Sequence, residues 1–219
     1  MTNNDLTYIT GILDRSGSMA SIRAQAEDGW NAFVAEQAAQ PGQCEISLVQ
    51  FDDVIEVVYD HIPAREITPF SLDPRNSTAL LDAIGMTITA LGSKLAAMSE
   101  DARPGSVIIV VVTDGHENAS REFTLQQVNT MTRHQSDGYG WQFVFLGANL
   151  DAVAAGQDLG IGADRSMTYR PDAVGSAMGL NSAKITGYRT AKRAGVAEAV
   201  AGMALDWNED ERRDLGEAG

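Results

Sequence analysis

From its N-terminus the chain alternates short apolar runs with stretches whose apolar residues recur every three or four positions. Residues 6–13 form the first apolar run, which ends at Asp14. Ile22, Ala26, Trp30, Phe33 and Gln37 then share one face of a helix expected over 22–37, closed by Pro41-Gly42. Residues 45–51 and 54–59 flank Asp52-Asp53, a two-residue connection that predicts a β-hairpin. Segment 61–76 carries Pro63, Pro69 and Pro74 and is expected to hold no regular structure. Leu80, Ile84, Ile88, Leu91 and Leu95 form the stripe of a second helix.

Residues 106–112 are the most apolar run of the chain and end at Thr113-Asp114-Gly115. A strand so uniformly apolar is buried on both faces and belongs near the middle of a sheet. A helix over 125–135, a strand over 141–146, a helix over 150–159 and a short strand over 165–169 follow. Pro171 suits the first position of a helix running to about residue 193. Alternating strands and helices predict a doubly wound α/β fold, with a mostly parallel central sheet and one antiparallel edge strand, over residues 1–194. Residues 195–219 read as an acidic C-terminal extension with Arg212 and Arg213 its sole basic residues. One short helix is expected there, capped by Asn208 with Glu211 and closed by Gly216.

The 219 residues, 44% apolar, suffice for one large domain with a full core. Cys44 is the single cysteine, which excludes an internal disulfide and a cysteine zinc site, and its apolar surroundings predict a buried structural thiol. No apolar stretch approaches the ~20 residues that span a bilayer, and the N-terminus lacks a signal-peptide pattern. The expectation is a cytoplasmic protein without a membrane partner. A net charge of −14 repels phosphate backbones, so no nucleic-acid partner is expected. The same charge attracts divalent cations.

Candidate chemistry lies at two strand ends. Asp14 and Asp114 each follow an apolar strand, and in open α/β sheets ligands bind at the carboxyl ends of central strands. Two unpaired carboxylates in one crevice repel unless a cation intervenes. Asp14-Arg15-Ser16-Gly17-Ser18 adds two hydroxyls at alternate positions, with Gly17 allowing a tight turn. Thr78 adds a hydroxyl just before the second helix. Carboxylates and hydroxyls are hard donors suited to Mg²⁺, Mn²⁺ or Ca²⁺. At its strand end, Asp14 is expected to stand open to the crevice.

These three segments, in this order, resemble the metal-ion-dependent adhesion site of von Willebrand factor A domains, and the resemblance covers roughly residues 6–169. It implies that Ser16, Ser18 and Thr78 coordinate a metal directly, that Asp14 and Asp114 act directly or through water, and that a Glu or Asp of a partner protein completes the shell. His116-Glu117-Asn118 and the run from Phe145 to Asn149 are similar to small stand-alone bacterial or phage members. The implied function is metal-dependent protein binding without catalysis.

Blander readings stand beside several residues. Ser16, Ser18 and Thr78 also suit helix caps. Asp82 reads as a helix-face acid or loop anchor, Asp52-Asp53 as a turn, and His61 and His134 as loop and surface residues. His116 beside Asp114 lacks any accompanying nucleophile or oxyanion motif. Gly160-Ile161-Gly162 follows a helix, so it fails the context of a dinucleotide loop. The alternatives to a binding module are a metal-assisted phosphatase with Asp14 as nucleophile, and an assembly subunit whose metal only rigidifies loops.

Overall fold

The computed structural model describes residues 2–216. Its six strands are β1 (Asn3–Asp14), β2 (Gln43–Phe51), β3 (Ile55–Pro63), β4 (Pro104–Thr113), β5 (Gln142–Ala148) and β6 (Ser166–Tyr169). They form one sheet in the order β3-β2-β1-β4-β5-β6, parallel except for the β2–β3 pair. The helices are α1 (Arg23–Ala39), α2 (Leu80–Ala97), α3 (Leu125–Tyr139), α4 (Ala152–Asp158), α5 (Val174–Arg193), α6 (Glu198–Gly202) and α7 (Glu209–Gly216). The doubly wound, mostly parallel sheet with one antiparallel edge strand is therefore as the pattern predicts.

Alternation along the central strands divides the core into two layers. Ile9 and Leu13 of β1 and Ile108, Val110 and Val112 of β4 pack against Trp30 and Phe33 of α1 and Ala177 and Met178 of α5. Tyr8 and Ile12, with Ile109 and Val111, face Ile84, Ile88 and Leu91 of α2 and Val128 of α3. A Cβ on Gly11 would lie 2.1 Å from the Trp30 ring, so only glycine lets α1 sit this close to β1. The apolar character of α2 is strong enough, at a mean hydropathy of 1.3 over 18 residues, to match a membrane span by length and composition. Its nine buried residues instead form the lid of the second layer.

Three expectations change. Residues 61–63 are strand, because β3 is an edge and Pro63 needs no ladder donor on its open side. The hairpin connection comprises Asp52, Asp53 and Val54 rather than two residues, with the Val54 N–H donating to Asp52 Oδ1 at 2.7 Å. Residues 198–216 hold two helices, and Leu205, Trp207 and Leu215 enter the layer shared by α1 and α5. Asn208 and Glu211 do cap α7 reciprocally, each backbone N–H meeting the other side chain at 2.9 Å. Arg212 donates to the Ser166 and Ala163 carbonyls, and the Arg170 N–H to that of Leu215, so the C-terminal segment shields the β6 edge.

Candidate functional site

Register puts the two aspartates at one edge of the sheet. Leu13 pairs with Val112 across the β1–β4 ladder, so Asp14 closes β1 level with Thr113, and Asp114 follows one residue later. After β1 the chain crosses to β2 on one side, while β4 and β5 lie on the other. The crevice between β1 and β4 is thus the point where strand order reverses.

Asp14 is not open to the crevice as expected. It is fully buried, and both oxygens are engaged: Oδ1 accepts the Ser16 N–H at 2.6 Å and Oδ2 the Thr113 hydroxyl at 2.6 Å. Thr113 at the end of β4 and Ser16 in the loop after β1, both buried, close over it. Ser16 Oγ lies 3.0 Å from Ser18 Oγ, and the Ser18 hydroxyl donates to Asp114 Oδ1 at 2.5 Å. A Cβ placed on Gly115 would stand 3.5 Å from both Ser18 Oγ and Thr78 Oγ1. The structure therefore brings all five sequence-predicted residues, Asp14, Ser16, Ser18, Thr78 and Asp114, to one small oxygen-lined space.

Several residues that the sequence singles out without assigning them this role hold the arrangement together. Asp52 is fully buried, and its Oδ2 pairs with Arg15 Nε at 3.2 Å and Arg75 Nε at 2.7 Å, while its carbonyl accepts the Ala79 N–H. Through these contacts one carboxylate ties the 14–18 loop to the 75–79 segment. Asn118 Oδ1 accepts the Thr78 N–H, and the Asn118 and Ala119 N–H groups donate to the Thr78 carbonyl. Glu117 accepts the N–H groups of Leu81, Ala119 and Ser120. Asp82 accepts three successive N–H groups, from Arg121, Glu122 and Phe123, which makes it the loop anchor that was expected. Asn149, in the left-handed region at φ 57°, donates from Nδ2 toward the Asp114 carbonyl at 3.5 Å. His116 is exposed. His61, expected in a loop, lies on β3 with a buried ring against Tyr8.

Burial pushes the Asp14 carboxyl up to about 6, against the opposing hydrogen bonds from Thr113 and Ser16, and the nearby Asp114 charge adds to the rise. Burial raises Asp114 too, opposed by the Ser18 hydroxyl. Among the described residues no Lys or Arg side chain pairs with either carboxylate, and no three His, Cys, Asp or Glu residues cluster as a metal site, here or elsewhere, so the donor set at this site is two carboxylates with hydroxyls. Because its folded-state value lies above the unfolded one near 3.8, Asp14 stabilises the cation-free fold fully below about pH 3.8 and loses that contribution as pH rises through about 6. Between pH 4.5 and pH 7.5 the expected difference is about 2 kcal/mol. Urea unfolding in EDTA at pH 4.5 and pH 7.5 measures it: wild type should lose stability relative to Asp14→Asn, and parallel behaviour would remove the carboxylate from the account.

A mostly parallel sheet flanked by helices on both faces, with its strand order reversing between β1 and β4, defines the doubly wound α/β class. Comparison with solved structures narrows it: the chain has the von Willebrand factor A fold. A von Willebrand factor type A protein from Catenulispora acidiphila superposes with a TM-score of 0.58 at 14% identity, over 83% of this chain and 43% of that one. The proximal thread matrix protein 1 of the mussel byssus, with a zinc-occupied metal-ion-dependent adhesion motif, gives 0.58 at 12% identity, over 80% and 46%. The vWF domain of the pili tip protein Mfa5 from Porphyromonas gingivalis gives 0.58 at 12% identity, over 82% and 94%. The chain thus spans less than half the length of the first two. No protein-family profile matches the chain, and no curated protein does.

Proposed function

We propose that this protein is a divalent-cation-dependent binding module: Asp14, Ser16, Ser18, Thr78 and Asp114 hold one Mg²⁺, Mn²⁺ or Ca²⁺ ion, through which the protein grips a Glu or Asp carboxylate of a partner protein. The observation that carries the reading is the pair of buried carboxylates with no basic partner among the described residues, surrounded by three hydroxyls. A hard cation fits that donor set better than any protein side chain present. Bound there, it supplies a Lewis-acidic position for an anionic oxygen. Ser16, Ser18 and Thr78 orient toward the space, Thr113 and the Ser16 N–H fix the Asp14 carboxylate, and Asp52 keeps the two loops in register. The fold shared with a pilus tip domain and a byssus matrix protein is in keeping with binding as the role.

The burial of Asp14 counts against covalent phosphoryl chemistry, since a nucleophilic carboxylate needs an accessible oxygen and both of these are already bonded. Affinity capture from the native host, with wild-type bait in Mg²⁺ or in EDTA, is the direct test. The partner should be released by EDTA and missing from the Ser18→Ala bait. Capture that survives both would make any bound ion structural.

The −14 net charge adds a constraint on the partner. A broadly acidic surface would be repelled, so the partner is expected to present one acid within a neutral or basic surface, and binding should weaken as salt screens the long-range attraction. Salt-independent affinity between 50 and about 300 mM would argue against that arrangement.

Asp114→Asn should weaken Mg²⁺ binding less than Asp14→Ala, because the amide retains an oxygen and keeps the Ser18 contact. Calorimetric titration of the two variants side by side decides it, and a reversed ranking would move Asp114 to the centre of the site.

A further inference from the structure

A second cleft lies on the α2 side of the sheet, between α2 and the β2–β3 hairpin. It has a volume of about 580 Å³, within the range of about 300–1,000 Å³ common for small-molecule sites. Val49, Ile55, Val57, Met86 and Leu91 form apolar walls. Two polar residues interrupt them. Thr10 sits on β1 between the core residues Tyr8 and Ile12, and Thr87 on α2 between Ile84 and Leu91. Both line the cleft, both are more than nine-tenths buried, and neither hydroxyl has a hydrogen-bond partner among the described residues. A layer that served packing alone would hold valine at such positions, because an unpaired hydroxyl in apolar surroundings is destabilising where the isosteric methyl is not.

At one end of the cleft Asp60, Lys94, Ser47 and His61 Nδ1 satisfy one another, while His61 Nε2 is buried without a hydrogen-bond partner among the described residues. Asp60 pairs with Lys94 at 3.0 Å and lies 2.5 Å from His61 Nδ1, and Ser47 Oγ lies 2.8 Å from the same nitrogen. Since Ser47 and Asp60 meet one nitrogen instead of opposite ones, the group cannot relay a proton from serine to aspartate. Burial holds His61 below its usual value despite Asp60, which leaves Asp60 and Lys94 to cancel. Neither an anion nor a cation gains a free counter-charge there.

We propose that this cleft is a binding site for an uncharged small molecule with an apolar body and one hydrogen-bonding group, which meets the Thr10 and Thr87 hydroxyls. The site is separate from the oxygen-lined crevice and does not depend on cation binding there. Ala90 of α2 and Val57 of β3 line it as exposed residues and so mark its rim.

The test uses N-phenyl-1-naphthylamine, an uncharged aromatic amine with one N–H donor, whose fluorescence rises in apolar surroundings. Titration into the full chain in EDTA should give a saturable signal with one site per chain. Ala90→Trp crowds the rim from an exposed helix position and should abolish the signal, with circular dichroism and Tm confirming the fold. Thr87→Val keeps shape while removing the hydroxyl and should weaken binding about 3- to 10-fold. Absence of saturable binding to wild type, or equal binding by Ala90→Trp, overturns the site. Equal binding by Thr87→Val overturns the hydrogen-bonding assignment.

Discussion

Asp14→Ala is expected to lower affinity for Mg²⁺ or Mn²⁺ on the order of 100-fold or more, since even residues that only support metal ligands commonly change affinity 10- to 100-fold. The substitution removes one of two charges in the donor set and also the acceptor of the Ser16 N–H and the Thr113 hydroxyl. Those two groups sit in a closed environment, and leaving them unpaired costs about 1–3 kcal/mol each. Loss of the buried, uncompensated carboxylate works in the opposite direction above pH 6. Net stability near neutral pH should therefore fall only modestly, while metal affinity collapses. Calorimetry gives the affinity and urea unfolding the stability. Wild-type affinity in this variant would end the assignment of Asp14 to the metal site.

Asp52→Ala should destabilise the fold by about 2–4 kcal/mol and weaken the metal site although Asp52 touches none of its five oxygen side chains. Asp52 is buried between Arg15, itself nearly inaccessible, and half-exposed Arg75. Breaking a buried ion pair by removing one partner leaves the other charge uncompensated, commonly worth 3–5 kcal/mol. The lower range applies here because Arg15 retains Glu56 at 2.6 Å and Arg75 reaches water. Burial pushes the Asp52 carboxyl up, but the Arg75 and Val54 hydrogen bonds and the two guanidinium charges outweigh it, so it sits below the usual range. Its contribution is thus present above the unfolded value and fades as pH falls through the lowered one. Asp52→Asn should retain the Val54 contact and lose less stability. Equal stability of Asp52→Ala and wild type at pH 7 would show that the ion pairs contribute nothing.

Much of the site was legible because its residues lie where elements begin and end. Asp14 and Asp114 follow apolar runs, and the alternate serines and Thr78 occupy turns that need no long-range information to place. Hydrophobic periodicity also located α2, whose five stripe residues are all buried. Edge strands were harder: Pro63 reads locally as a breaker, and only its place on an open sheet edge makes it acceptable in β3.

The supporting shell was illegible for a different reason. Asp52 and Asp53 are adjacent acids in a turn, and nothing local separates the buried anchor from the exposed neighbour. Asp52 acquires its role because β2 lies beside β1, which sets Phe51 opposite Asp14 and delivers Arg15 and Arg75 from two other loops. Asn118, Glu117 and the Asn149 contact depend in the same way on chain segments tens of residues apart. By itself the sequence determined the strand–helix alternation, the mostly parallel sheet and the five oxygen-bearing residues at the element ends, since each follows from residue type and short-range period. Tertiary structure alone decided that Asp14 is sealed instead of open, that one carboxylate ties two loops together, and that Thr10 and Thr87 share a cleft. Burial and pairing depend on which strands become neighbours, and strand order is a property of the assembled sheet.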